Sequence, residues 1–395
     1  MRPTIRTMTL GIGAPHPLDE ATIRGAGEFL AGARAAAERA GYTVQTTRVA
    51  TRPLLEDMAA AADDEIVAYA GTLQGFCDTY ELAYCSLGPA PATDPSFPLE
   101  RIALLPRLIA PYAALSATVQ LATTEAGVRY EAALPTAEAM RALAELSSGE
   151  ANFRFAALAC CEPGGPFFPQ AYHRGEEWTV TVGLQSAAVV GEAIEALASE
   201  RGPGPATLAA LTTQVRAELR AAAAPVVALV RQVAEEAGYR FGGVDLSPAP
   251  MGDESIADAI EAAGFGLFGE PGTLAICAAL TAAIRSTDLP TCGYCGLMLP
   301  VLEDETIGER CAEGGVTVTS LLAYSAVCGT GLDTVPLPGD APPEQLAALL
   351  LDVASLAERL RKPLSARLFL VPGGVAGDMT NFASPYLTNT RILGV

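Results

Sequence analysis

The chain has 395 residues, of which 50% are apolar and 18% charged, and it carries a formal net charge of −20. That composition excludes bulk disorder and predicts a sizeable buried core. The acidic balance, with no basic block and with Lys362 as the single lysine, argues against nucleic-acid binding, because a phosphate backbone repels such a surface. The opening residues lack the apolar run and small-residue cleavage site of a secretory signal. The longest apolar stretch, near residues 274–284, is far below the ~18–20 residues that span a bilayer. Nine cysteines, an odd number in a long chain, argue against a disulfide framework and for a reducing cytoplasm.

Residues 4–14 alternate like a strand, and an Ala-rich helix is expected over 19–41, ended by Gly41. A strand follows at 42–50, then a helix at 52–62 with Pro53 in its first turn. Segments 127–134 and 152–161 read as strands on either side of a helix at 136–148. After a strand at 178–184 come a helix at 187–199 and a long helical stretch at 205–238, expected to bend at Pro225, where a hydrogen bond is lost. The remainder reads as a strand at 239–246, helices at 254–263 and 273–284, a short strand at 297–302, a strand at 334–337, a helix at 342–361 and a strand at 366–371. About ten strand candidates alternating with helices imply a largely parallel sheet covered by helices. No linker or repeat divides the chain, so residues 1–395 read as one domain, and closure into an α/β barrel is more economical than two doubly wound domains.

Unusual composition collects in the loops between these elements, where chemistry concentrates. The Pro- and Gly-rich stretch 159–173 follows a strand and ends in His173, which reads either as a proton shuttle or as a hydrogen-bonded structural histidine. The strand ending at Asp245 presents a carboxylate suited to a hard cation or to orienting a substrate, and Asp253 reads as a helix N-cap. Residues 264–269 spell Gly-x-Gly-x-x-Gly, but a helix precedes them where a dinucleotide fingerprint needs a strand. What remains there is Gly272-Thr273 opening a helix, whose free amides suit a carboxylate or phosphate. Cys292 and Cys295 form a Cys-x-x-Cys pair, a redox dithiol or half of a zinc site that no second pair completes. Cys328 closes a helix ahead of Gly329-Thr330-Gly331, as a thiol presented to a cavity or as a small buried hydrophobe.

Several of these segments, taken in order, resemble the uncharacterised prokaryotic family known as domain of unknown function 711. They are Phe153-Arg154-Phe155-Ala156, the run from Pro163 to His173, Asp245-Leu246-Ser247, Asp253-Glu254-Ser255, Gly272-Thr273, Pro300-Val301-Leu302-Glu303-Asp304, the run from Ala326 to Asp333, and Val371-Pro372-Gly373 with Gly377-Asp378. The resemblance implies a single ten-stranded α/β barrel similar to pyruvate formate-lyase and the anaerobic ribonucleotide reductases, in which a cysteine on a finger loop reaches the interior. Cys328 is its counterpart by that analogy. The tail at 372–378 lacks the Arg-Val-x-Gly-Tyr glycyl-radical signature, so radical chemistry is not expected, and members of the family commonly carry serine where this chain has Cys295.

The expectation that follows is a cytoplasmic enzyme acting on a small polar, anionic metabolite inside the barrel. Cys328 is its nucleophile or redox thiol, with His173 and Cys295 as further catalytic groups. Arg154, whose fork suits a carboxylate, would hold the substrate with Gly272, Thr273, Gly329 and Thr330. Asp245, Glu303, Asp304 and Asp333 would hold a divalent metal such as Mg²⁺, Ca²⁺ or Mn²⁺. The expected partners are the small molecule and a second copy of the chain, through apolar helices such as 205–238, with no nucleic acid and no membrane. The alternative is a non-catalytic metabolite-binding or thiol-redox sensor protein.

Overall fold

A computed structural model describes residues 2–201, 205–251 and 254–395, and the strands among them join one sheet. They are β1 (Thr4–Gly11), β2 (Val44–Ala50), β3 (Tyr84–Ala90), β4 (Leu115–Thr123), β5 (Gly127–Val128), β6 (Phe155–Ala159), β7 (Thr179–Gln185), β8 (Arg240–Asp245), β9 (Gly331–Pro338) and β10 (Leu364–Val371). Their order is β8-β7-β1-β2-β3-β4-β6-β10-β9, with β5 paired to β4. Strands β1, β2, β3, β4 and β6 run parallel. The parallel pairs β7·β8 and β9·β10 join that block antiparallel, at β1·β7 and at β6·β10. The sheet is therefore largely parallel, as the sequence predicted, with antiparallel joins at β1·β7, β6·β10 and β4·β5 that the sequence did not predict. Hydrophobic patterning reports that a strand exists and not which way it runs, and only an irregular loop separates β6 from β7.

The edge strands β8 and β9 are not bonded to each other in a ladder. One connecting segment, residues 290–301, reaches both of them. Val244 of β8 donates to the Pro290 carbonyl at 2.9 Å and accepts from the Cys292 amide at 3.1 Å. At the other end the Val301 amide donates to the Asp333 carbonyl of β9 at 3.0 Å, and the Gly329 amide donates to the Leu297 carbonyl at 2.7 Å. Both contacts have parallel sense, as single bridges at Val244–Thr291 and Pro300–Asp333. The expected strand at 297–302 is thus one bridge, because Pro300 has no N–H to extend a ladder. Gly296 and Gly329 lie backbone against backbone where the segment crosses the turn after Cys328. A Cβ on either would fall 2.5 Å from a main-chain atom of the other, so neither position accepts a side chain.

Other differences have local causes. Of the strand expected at 127–134 only Gly127–Val128 forms, and Tyr130–Ala132 turns directly into the helix Ala133–Ser147. The helix expected at 52–62 is the short Leu54–Asp57, followed by Asp63–Thr79. The long helix forms as Pro205–Glu236, with Pro225 in its interior. Asp253 lies outside the described residues, and the Ser255 hydroxyl caps Ile256–Ala262 by accepting from the Asp258 amide at 3.0 Å. Strands β3 and β4 went unpredicted because both faces are buried and the two-residue alternation is absent.

Both faces of the sheet bury apolar surface, and alternation sorts residues between them. On β6, Phe155, Ala157 and Ala159 join the main core with the helices, whereas Ala156 and Leu158 join Cys161, Phe167, Ala249, Tyr294 and Met298. On β10, Leu368 and Leu370 go to the main core, and Phe369 meets Leu302 and Phe382. The second face carries the site. No described helix is long and apolar enough to cross a membrane.

Next to β2, His16 is buried with Nε2 at 2.8 Å from the Thr51 hydroxyl and Nδ1 at 2.9 Å from the Tyr69 hydroxyl. Thr51 donates to the Ser86 carbonyl, and Tyr69 accepts from the Leu18 amide, which leaves the phenol proton for Nδ1. The pattern fits a neutral ring protonated on Nε2. Burial pushes the His16 pKa down to about 4. Because the folded value lies below the unfolded one, the unfolded chain binds the extra proton, and folding weakens as pH falls from 6.5 toward 4. In urea titrations, the stability of the wild type relative to His16→Gln should fall by about 1.4 kcal/mol per pH unit across that window and stay flat above it.

Candidate functional site

Arginines inside buried strands are chemically out of place. Arg6 lies in β1, Arg48 in β2 and Arg367 in β10, and Arg154 immediately precedes β6. Pairing with β7 slips between Ile5 and Thr7, a local irregularity of the kind that re-aims a side chain, and Arg6 sits at it. All four arginines line one cavity on the second face of the sheet, with Gln45, Thr46, Tyr84, Ser116, Glu303, Thr330, Asp333 and Ser365. Phe153, Phe167-Phe168-Pro169, Ala249-Pro250, Tyr294, Met298, Pro300 and Tyr386 complete the wall. The empty volume is about 880 Å³ including open solvent at the mouth, the size range of small-molecule sites.

Two of the arginines are held in a buried ladder of ion pairs. Arg6 Nη2 donates to Glu303 Oε2 at 3.2 Å. Arg367 Nη2 donates to Glu303 Oε1, and its Nε donates to Asp333 Oδ1 at 2.7 Å. Burial raises the Asp333 carboxyl above the ordinary carboxylate range, with Arg367 opposing it. Burial also works against the Arg367 charge, but Asp333 and Glu303 outweigh it and hold the guanidinium above its usual value.

The other two arginines form no ion pair with a described carboxylate. Arg48 donates from Nε to the Thr46 hydroxyl at 2.9 Å, and its guanidinium lies 5.2 Å from the ring centres of both Tyr84 and Phe168. Burial lowers its pKa to about 9, so it stays charged at neutral pH. Arg154 donates from Nη1 to the carbonyls of Ile109 and Leu115, at 2.7 and 2.6 Å. Four arginines against two carboxylates leave the described lining with an excess of two positive charges, inside a chain of net charge −20. The buried Ser116 and Thr330 hydroxyls and the Gln45 side-chain carbonyl have no hydrogen-bond partner among the described residues.

Of the residues singled out in the sequence, Arg154, Thr330, Glu303 and Asp333 meet here, and the others lie elsewhere. Cys328 is buried outside the lining, and its carbonyl accepts from Lys362. The lysine also donates to the carbonyls of Ser325 at 2.9 Å and Ala326 at 3.3 Å, capping the helix Val318–Ser325. Cys295 points its thiol at the carbonyls of Val244 and Cys292, and burial raises its pKa. His173 is buried against Gly11 beside a separate small cavity, its Nε2 without a described partner and its pKa lowered by burial. Gly272 opens the helix Thr273–Arg285, and the Thr273 hydroxyl accepts from the Gly269 amide at 3.1 Å. Gly329 makes the backbone crossing with Gly296.

The four expected metal carboxylates do not form one group: Glu303 and Asp333 share Arg367 at the cavity, and Asp245 and Asp304 lie outside its lining. Asp245 accepts from the Ser247 amide and hydroxyl and from the amides of Tyr294 and Cys295, at 2.6–3.1 Å. Asp304 accepts from the Ser255 hydroxyl and the amides of Ile256 and Ile307, tying two helix starts together. Among the described residues no group of three or more His, Cys, Asp or Glu side chains is placed to hold a metal ion. Arg6, Arg48 and Arg367 escaped the sequence reading, although a lone arginine within each of three strand-like stretches was a usable signal.

Fold and site define a mixed α/β protein with an interior, arginine-lined cavity. The chain belongs to the family described as "Uncharacterised ACR (DUF711)", which matches residues 1–384. A relative named UPF0210 protein from Pyrobaculum islandicum is 35% identical over 289 residues, 69% of this chain and 60% of that protein. UPF0210 proteins from Clostridium botulinum and Listeria monocytogenes are 26% and 28% identical, each over 96% of this chain and 88% of the relative. The chain thus spans about 60% of the length of the Pyrobaculum relative.

Substituting Arg367→Met leaves Asp333 unpaired and should cost about 3–5 kcal/mol in urea unfolding, the usual penalty for breaking a buried pair. Arg48→Met strands no described carboxylate and should be neutral or stabilising.

Proposed function

We propose that the protein binds a small anionic metabolite in the arginine-lined cavity and carries out proton-transfer chemistry on it. The observation that carries this reading is the excess of positive charge in the lining, together with hydroxyls that lack partners. An electropositive interior within an acidic surface favours a small anion over a macromolecular polyanion. Asp333 is suited to hold and release a proton, since burial raises its carboxyl and a ligand anion competing for Arg367 would loosen its ion pair. Tyr294 is a second candidate: its hydroxyl donates to the Ser365 hydroxyl at 2.8 Å, and Ser365 donates to the Thr330 carbonyl at 3.1 Å. Cys328 is buried outside the cavity lining, so the reading assigns it no step on the ligand. A divalent cation between Glu303 and Asp333 would have to displace Arg367.

The reading includes a closed ten-stranded α/β barrel like that of pyruvate formate-lyase. It is supported by five strands in one direction and, along the main path of the sheet, four in the other, with residues 290–301 bonded to both free edges in parallel sense. A binding protein without turnover is the second reading. It is favoured because both carboxylates of the described lining are engaged by arginine and no thiol or imidazole is among the described lining residues.

The test is a thermal-shift screen of small carboxylates and phosphate esters against neutral and cationic metabolites, followed by mass spectrometry of each stabilising compound. Anions alone should stabilise, by about 2.7 kcal/mol at a hundredfold excess over Kd, and Arg154→Met should weaken them at least tenfold. Equal stabilisation by neutral or cationic compounds would sink the reading, and anions that bind without a mass change would select the binding protein.

A further inference from the structure

We propose that the cavity is built for a doubly charged anionic group, that of a phosphate monoester, seated by Arg48 and Arg154; this rests on the reading of the cavity as an anion site. Within the lining, Arg6 and Arg367 are matched by Glu303 and Asp333. The two charges left over belong to Arg48 and Arg154. Each is anchored through a part of its guanidinium that keeps other donors available. Arg48 spends Nε on Thr46 and lies 5.2 Å from the ring centres of the neighbouring Tyr84 and Phe168, and neither of its Nη groups bonds a described residue. Arg154 spends Nη1 on two carbonyls, and its Nε and Nη2 likewise bond no described residue.

Both arginines line the same cavity, and the Arg48 guanidinium lies 5.2 Å from the ring centre of Tyr84, itself a lining residue. Ser116, fully buried on β4, and Thr330, on the turn before β9, contribute hydroxyls with no described partner. A carboxylate offers one negative charge and two coplanar oxygens. A phosphate monoester offers close to two charges and three terminal oxygens spread in space. Two guanidiniums with separate anchors, joined by one hydroxyl from a strand and one from a turn, match the second arrangement in charge and in number of donors. The apolar wall of Phe153, Phe167, Met298 and Pro300 leaves the organic part of the ligand few polar contacts.

The experiment is calorimetric titration of the full chain with methyl phosphate, succinate and acetate. Methyl phosphate should bind more tightly than acetate or succinate, and Arg48→Met and Arg154→Met should each weaken it at least tenfold. In the unaltered protein, its affinity should fall up to tenfold per pH unit below the second phosphate pKa, near ~6, while acetate shows no such fall between about pH 7.5 and 5.5. The pH series needs no variant and so does not depend on how the variants fold. Succinate binding as tightly as methyl phosphate, or a methyl phosphate affinity that ignores pH, would overturn the phosphate assignment and leave the anion cavity standing. If none of the three anions binds, the reading of the cavity itself fails.

Discussion

The ladder Arg6–Glu303–Arg367–Asp333 is the interaction on which the rest of the site depends. It runs from β1 through the loop after Pro300 to β10 and β9, so it links strands that run in opposite directions in the sheet. Burying a charge is least costly when an opposite charge meets it. The ladder supplies such partners to two arginines and to both carboxylates of the described lining. It thereby separates them from Arg48 and Arg154, whose charge stays available to a ligand.

The second constraint is steric. Residues 290–301 are extended between the two free edges of the sheet, and their path is possible only because Gly296 meets Gly329 without side chains. Asp245 holds the start of the path through the amides of Tyr294 and Cys295. Those contacts place Tyr294 and Met298 against the second face of β6 and bring Pro300 and Glu303 to the cavity. The glycines and the aspartate that look catalytic in a linear reading act here as organisers of the chain, and the ligand-facing groups come from strand interiors.

Much of this was legible in the chain. The strands β1, β2, β6, β7, β8, β9 and β10 and most of the long helices follow from apolar periodicity and caps, as with Asp19, whose carboxylate accepts from the Thr22 amide at the start of Glu20–Arg39. Arg154, Glu303, Thr330 and Asp333 were also recoverable, since they belong to motifs beside glycine-rich turns. Strands β3 and β4 were not, because strands buried on both faces lose alternation. Cys328, Cys295 and His173 drew attention for their reactivity, yet reactivity depends on exposure and local field, and burial leaves the Cys295 and His173 side chains in their uncharged forms.

The sequence by itself determined an acidic α/β chain with a large core, a set of strand-helix elements and membership in a recognisable family. Each of those properties is carried by composition, by short-range periodicity or by ordered motifs. The tertiary structure alone decided the direction of the strands, the crossing of residues 290–301 over the turn at Gly329, and the pairing of two arginines with two carboxylates while two others stay unpaired among the described residues. The physical reason is that a buried charge takes its meaning from its partners, and Arg6 meets Glu303 across 297 positions of the chain, a distance no local pattern can encode.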